Sequence, residues 1–548
     1  MYEPIRDSGR DTTSSLVSVP SATGGWNTRD AIANMPPTDA VVMDNWMPRE
    51  SCVALREGYR KIDMPVDAAL DPKEIGTIMP YTVQRVEGDP PVKDDITCVI
   101  LAGNNKLWKW HPQEAAANLS DITPTAAEAT IKTNKWNYVI YKKNLIMTRG
   151  GSTPLLFEEN AAGTTPRATK MQINTDAATV EGTVHDYDVD MVAIYRGRMY
   201  ISAIGCLGFF YTEAGKLPGA TALSYNDLSY TFTHGGSVEL IANWSKTGAE
   251  GLDNYLIVVT TMGEVGVFSG DDPVSTAPNA TWKMEGLFHI PKVIHGSNAV
   301  RVGGDLILIT EEGYIGLGDM LNANFINTDN ALSDKINVAV KDLLRNTEFP
   351  HWNQTFYLHE NLLIVNVPAN SVKPVTETHQ HVLNLSTGAW CRFTGLNATC
   401  FGEFNSKLYF AKTGGGLYEM FSGSSDDGEA IKGYVQQAYS NFGSPKIKMF
   451  KNADILSSHN LSLQISLNFF VDFKRGFPNA KASMISVAPL WNISHWDAVG
   501  WDVAATARLV PIAIEADAGI FGSIGIAVET NMKNIEWYAT ILTMSIAK

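Results

Sequence analysis

The chain has 548 residues, 45% of them hydrophobic, which is ample material for sizeable cores and a length that normally divides into more than one domain. Its 58 carboxylates outnumber 43 Lys and Arg side chains, and the resulting charge of −15 argues against general adhesion to nucleic acid by phosphate neutralisation. No run of about 18 apolar residues is present to span a bilayer, and the opening MYEPIRDSGRDTTSS lacks the apolar centre of a secretory signal.

Residues 1–62 read as an extended arm, because Pro36, Pro37 and Pro48 break any helix and the Trp and Arg positions follow no clean period. The Pro- and Asp-rich patch from Asp63 to Asp95 reads as an exposed loop. Seven stretches then repeat one pattern, a β-branched or aromatic run, a turn and a second such run. They are VILAGNNKLWKW from Val99, LIMTRGGSTPLLF from Leu145, MYISAIGCLGFFY from Met199, YLIVVTTMGEVGVF from Tyr255, DLILITEEGYIGL from Asp305, LLIVNVPAN from Leu362 with HVLNLSTGAW from His381, and LYFAKTGGGLYEMF from Leu408. Period-two alternation around Gly or Asn marks hairpins, and steps of roughly 45 to 60 residues are those of four-stranded propeller blades. The expected fold is therefore mainly β, with an irregular β-propeller over residues 63–430.

One helix is predicted, over about 333–348. Ser333 is its N-cap, Ile336, Val340, Leu343 and Leu344 form one apolar face, and Pro350 ends it. From residue 431 the character changes to LSLQISLNFF alternation, the Trp-rich WNISHWDAVGWDV and the closing IEWYATILTMSIA, which predict a β-sandwich or platform domain over 431–548. Within it, KIKMFK (446–451) reads as an edge strand with one wet face.

Catalytic motifs are missing. The chain has no GxSxG elbow, no phosphate-binding GxxxxGK[ST], no HExxH and no sialidase-type, WD or kelch repeat, so no enzyme and no cofactor are expected. In HDYDVD, strand periodicity would put Asp186, Asp188 and Asp190 on one face as oxygen ligands for Ca²⁺, but the Gly and distant Glu of a calcium loop are lacking and an acidic edge is the plainer reading. His379 and His381 in HQH share a face too, and are read as exposed histidines flanking a loop rather than as metal ligands. The cysteines Cys52, Cys98, Cys206, Cys391 and Cys400 form no CxxC pair and are expected to be reduced, buried thiols of a protein made in a cytosol.

The arm carries a resemblance. Its GGWNTRDAIANMPPTDAVVMDNWMPRESCVALREGYRK is similar to the N-terminal signature of the tail nozzle (tail hub, tail tubular protein B) of short-tailed bacteriophages, through Asn27, Arg29, Asp30, Asp44, Asn45, Trp46, Pro48, Arg49, Arg56, Gly58 and Tyr59. AYSNFGSPKIKMFKNADI and the pairs Trp496-Asp497 and Trp501-Asp502 extend it. The resemblance implies a virion structural protein of the tail, assembled in the bacterial host cytoplasm as a ring of six. The ring would sit below an adaptor, contact fibres, spikes or a needle, and retain and then pass double-stranded DNA without binding it tightly. Interruption of the blades by platform segments belongs to the same expectation. The alternative is a receptor-binding or glycan-cleaving propeller, which requires carboxylates paired about 5 to 10 Å apart.

Overall fold

A computed structural model describes residues 13–64, 74–87, 92–112, 119–159, 167–173, 188–219, 222–245, 254–273, 281–294, 299–322, 331–346, 352–369, 376–458, 463–473, 480–484, 508–514, 518–532 and 534–546. Each of the seven stretches supplies the second and third strands of an antiparallel blade of a propeller; six blades are small separate sheets and the sixth is part of a larger one. Blade one runs Ile75–Glu87, Val92–Gly103, Lys106–Trp110 and Leu119–Asp121, and blade two runs Asn137–Tyr141, Asn144–Thr148, Leu155–Phe157 and Thr169–Lys170. Blade three comprises Val189–Tyr195, Arg198–Ala203, Gly208–Tyr211 and Ser224–Asp227, and blade four Val238–Ser245, Asn254–Thr260, Glu264–Ser269 and Lys283–His289. Blade five has three described strands, Val300–Val302, Asp305–Thr310 and Gly313–Gly316, and blade six is Asn353–Tyr357, Leu362–Pro368, Thr378–Asn384 and Ala389–Phe393. Blade seven takes Ala398–Phe404, Lys407–Lys412 and Leu417–Met420 from the end of the ring, and its fourth strand, Tyr59–Lys61, from the arm.

Tight turns set the registers. Asn104-Asn105 and Asn405-Ser406 take positive φ at both positions, as do Arg196-Gly197, the arrangement that matches the twist of two-residue hairpins. Lys142 and Lys143 do the same without glycine, at φ 50° and 67°. From blade one to blade five the cores are separate and sequential, whereas Ile309 of blade five, Ile364 of blade six and Phe410 of blade seven belong to the sandwich's core. One cluster joins blades one and two through Tyr81, Ile100, Leu145 and Phe157; another joins two and three through Ile146, Met199 and Phe210. Tyr200, Phe209, Leu256 and Phe268 fill the seam of three and four, and Ile257, Val265, Leu308 and Ile315 that of four and five. Ring closure is made by Trp108, Val99, Tyr409 and Leu417, which pack blade seven on blade one.

The patch expected as a loop is corrected here, since it holds the strand Ile75–Glu87 and the start of its partner Val92–Gly103. Met79, Tyr81 and Val83 alternate into the core, and Pro80 is tolerated because an inner blade strand has a neighbour on one side only. The helical segment begins as a 3₁₀ turn, Asp334–Ile336, and continues as Asn337–Asn346. Ser333 does not cap it; its hydroxyl accepts instead from the Tyr314 N–H at 2.9 Å. Ile336, Val340 and Leu344 are buried against blades five and six, as the stripe requires.

Beyond the propeller lies a two-sheet sandwich that shares strands with the arm. One sheet has the order Arg508–Ala513, Lys448–Ser458, Glu536–Ile546, Val53–Leu55, Trp46–Pro48, with Thr13–Pro20 also paired to Glu536–Ile546. The other extends blade six: Asp39–Asp44 bridges Ala389–Phe393 at Arg392, and Ile431–Gln437, Gly522–Thr530, Leu463–Val471 and Ala480–Met484 follow. Ala453, Ile455 and Leu542 of the first sheet meet Leu467, Ile526 and Val528 of the second in the largest core. The KIKMFK segment is not a free edge: residues 448–450 pair with Glu536–Ile546 on one side, and on the other Lys448 bridges Gly519 and the Lys451 carbonyl accepts from the Ile514 N–H at 2.9 Å. Its faces are also reversed from expectation. Lys448 and Phe450 point inward, the ammonium donating to the carbonyls of Lys446 and Ile520 at 3.0 Å, while Ile447 and Met449 are exposed. The Trp-rich segment with Trp496 and Trp501 lies outside the described residues.

Candidate functional site

The inner strands of all seven blades surround a central cavity of about 770 Å³. Charged groups along it are Lys135, Arg149, Arg301 and Glu403. Burial is the main cause that lowers the Lys135 ammonium to about 8, with Arg149 adding to it and Cys400 opposing. Burial likewise lifts the Cys400 thiol to about 12, which keeps it protonated and inert as a nucleophile. Glu403 is the one carboxylate among the described lining residues, and it accepts from the Leu358 N–H at 3.2 Å.

Four polar lining side chains are used between neighbouring blades. Asn137 donates to the Asp190 carbonyl across the seam of blades two and three at 3.0 Å. Gln354 reaches the Ile307 carbonyl at 2.7 Å, and Asn353 the Thr399 carbonyl at 2.9 Å. Thr77 donates to the Asn134 carbonyl and accepts from the Trp136 N–H. These bonds fix one blade against the next, while Trp136 Nε1, Asn243 Oδ1 and Trp352 Nε1 of the lining are buried without a hydrogen-bond partner among the described residues.

The arm residues named by the sequence resemblance are mostly drawn into one joint between propeller and sandwich. Arg56, fully buried, donates from Nη1 and Nη2 to both Asp426 oxygens at 2.8 and 2.6 Å and from Nε to Asn45 Oδ1 at 2.8 Å. Asn45 takes φ 60°, and its amide donates to the Lys432 carbonyl and Thr394 Oγ1 at 2.8 and 3.0 Å. Asp44 accepts a two-pronged pair from Arg392 at 2.7 and 2.8 Å, at the point where blade six becomes the sandwich sheet. Trp46 is buried in the core, and the Pro48 carbonyl accepts from Asn384. Gly58 has no room for a side chain, since a Cβ there would lie 2.0 Å from the Ser425 carbonyl oxygen. Tyr59 packs edge-on against Phe410 and Tyr418. A second knot has Asn27 donating to Asp30 and Asp39 at 2.9 and 2.7 Å, Arg29 bridging Asp30 and Asp334, and Lys335 reaching Asp39 and the Gly24 carbonyl at 2.9 Å. It straps the 3₁₀ turn to the arm. Arg49 is exposed in a turn outside both knots.

The weighed metal residues fall elsewhere. Asp186 lies outside the described residues, and Asp188 precedes the strand Val189–Tyr195, so no three-carboxylate face is formed by the described residues. The Asp190 carboxylate accepts from the Gly150 N–H at 2.9 Å across a blade seam. His379 and His381 are not exposed: His381 is buried, its Nδ1 is 2.9 Å from the Tyr314 hydroxyl, and its ring meets Trp26 edge-on. Burial, helped by Arg392 and His379, lowers His381 to about 3 and keeps it neutral. All five cysteines are free, four buried and Cys206 half-buried. A group the sequence did not bring together is His234, Glu264 and His289, whose ligand atoms lie within 4.8 Å of one another. They come from a loop, a strand start and a strand end, so no motif spacing announces them.

The architecture is thus a seven-bladed β-propeller with a sandwich that shares its arm. No family model matches the chain, and no curated protein matches it. Among solved structures it is similar to the Saccharomyces cerevisiae protein Sqt1, at 8% identity over 68% of this chain and 99% of that one, with a TM-score of 0.37. It is also similar to YCF48 bound to a D1 peptide (11% identity, 68% and 98% coverage, TM-score 0.36) and to a Bacillus subtilis glycoside hydrolase family 43 arabinoxylan arabinofuranohydrolase (10%, 88% and 97%, 0.23).

Proposed function

We propose that this chain is a virion structural protein, one subunit of the tail nozzle ring of a short-tailed bacteriophage, and that it shapes a conduit for double-stranded DNA rather than catalysing a reaction. The observation that carries the reading is the convergence of Asp44, Asn45, Trp46, Arg56, Gly58 and Tyr59, the residues of the phage-like arm signature, on one buried joint that locks propeller to sandwich. A wall segment of a pressurised conduit needs such a joint, because relative motion of its two parts would open the wall. The net charge of −15 suits DNA in transit, which an acidic protein does not hold. Among the described lining residues Glu403 is the one carboxylate, which favours a structural ring over the glycan-cleaving alternative.

The test is assembly. Purified protein, alone or mixed with an adaptor ring from the same source, should form closed particles of six 59.9 kDa chains, about 360 kDa, by native mass spectrometry and electron microscopy. A strictly monomeric chain that never joins adaptor or portal rings refutes the proposal, and turnover of a host polysaccharide would establish the alternative.

A further inference from the structure

We infer that His234, Glu264 and His289 form a binding site for one divalent transition-metal ion of the zinc class, at the end of blade four where the chain enters from blade three. The placement follows from register. Glu264 opens the strand Glu264–Ser269 and lies directly opposite His289, the last residue of Lys283–His289, so the two side chains leave the sheet on one face. The turn before Glu264 is fixed, since Gly263 takes φ +84° and its carbonyl accepts from the Ile290 N–H at 2.8 Å. His234 arrives on the loop linking Ser224–Asp227 to Val238–Ser245, and the two imidazole rings meet at 4.6 Å and 78°.

Glu264 is prepared as a ligand. Its side chain is fully buried, yet Oε1 accepts from the Thr233 N–H and hydroxyl and lies 3.0 Å from His234 Nδ1, while Oε2 accepts from the His234 N–H at 3.0 Å. A carboxylate oriented by backbone and hydroxyl donors is the kind of outer support that metal ligands have. Two imidazoles and one carboxylate suit zinc and its neighbours and not magnesium or calcium, which take oxygen ligands. Bonds of 2.0 to 2.2 Å at tetrahedral angles place ligand atoms about 3.4 Å apart. The widest separation must therefore close by up to about 1.4 Å from the 4.8 Å envelope, a movement open to the rings because both histidines are exposed. A fourth position would face solvent. The bound ion would tie the loop between blades three and four to blade four, and this site is independent of the nozzle reading.

The experiment uses the full chain, free of any histidine tag and stripped with a chelator, titrated with Zn²⁺ by calorimetry and by metal analysis after desalting. One ion per chain is expected, together with a higher thermal midpoint, because the ion binds the folded site. His289→Ala and His234→Ala, both at exposed positions that spare the core, should each weaken binding at least tenfold. X-ray absorption should report two imidazole ligands in the wild type. Absence of saturable binding overturns the site, as does binding that stays within threefold of wild type in either variant.

Discussion

Arg56→Ala is the sharpest test of the joint between propeller and sandwich. The guanidinium has no exposed surface, and its partner Asp426 keeps 11% of its side chain open. Five donor contacts disappear with it: two to Asp426, one to Asn45, and one each to the carbonyls of Glu57 at 3.1 Å and Thr394 at 3.3 Å. Bonds to charged groups contribute about 1.5 to 3 kcal/mol each in isolation, but contacts within one network do not add. The governing magnitude is that of a buried ion pair broken on one side, about 3 to 5 kcal/mol, because the Asp426 charge is left without its partner. Arg56→Lys keeps the charge and loses the fork, so its cost should fall between wild type and Ala. Urea denaturation, with reversal checked by dilution, reads these values as shifts of the midpoint at constant slope. The Arg56→Met, Asp426→Leu double variant should be less destabilised than the two single variants summed. A loss below about 1 kcal/mol for Arg56→Ala, or strict additivity in the cycle, refutes the argument.

Three other outcomes follow from the same structure. Gly58→Ala places a methyl group against backbone atoms of Ser425, the nearest at 2.0 Å, and should cost more than about 2 kcal/mol or abolish soluble expression, whereas Gly151→Ala, where φ is +85° but space is open, should cost less. His381 is held down to about 3 by burial, so the unfolded chain takes up a proton first and stability falls as pH drops below 6.5; His381→Gln should flatten the pH dependence of unfolding between 6.5 and 4.5 by up to about 1.4 kcal/mol per pH unit. Burial opposes ionisation of Glu264, but hydrogen bonds from His234 and Thr233 outweigh it and hold the carboxyl at about 2; its contribution is present above about 4.5 and lost as pH falls toward 2, a loss that Glu264→Gln should not show in acid unfolding curves.

What the sequence shows of this fold depends on where each strand lies. The seven hairpins are legible because second and third blade strands are flanked by neighbours and pack on both sides, so that Val258, Val259, Ile307 and Ile309 read as continuous apolar runs. Inner strands are harder, since residues such as Asn137, Gln354 and Asn353 spend polar side chains on the seams and break the alternation. The strand Ile75–Glu87 passes for a loop for that reason and because Pro80 and the acidic residues after it mimic turn composition. The capping role assigned to Ser333 fails because a better-placed donor, the Tyr314 N–H, competes for its hydroxyl. The local spacing of His379 and His381 is legible in the sequence, while the three groups brought together by the fold are 25 to 55 residues apart and carry no local signal.

The arm is the part whose role only the fold discloses, and it changes how the molecule must hold together. Tyr59–Lys61 pairs with Leu417–Met420, so the propeller cannot close its seventh blade until a strand from near the start meets one made some 360 residues later. Thr13–Pro20 pairs along Glu536–Ile546, sealing the first and last described strands into one sheet. Between these two closures the chain threads Asp39–Asp44 into the sheet that continues blade six. Propeller and sandwich are therefore not beads joined by a linker. Separating them requires breaking both the Asp44–Arg392 pair and the Arg56–Asp426 pair, as well as stripping the fourth strand from blade seven. Contacts of such separation form late and are slow to find, but once made they must be lost together, which favours slow unfolding over mere equilibrium stability. Under the proposed nozzle reading, resistance to local opening is the property a conduit wall needs, and the interleaved arm is the feature that would supply it.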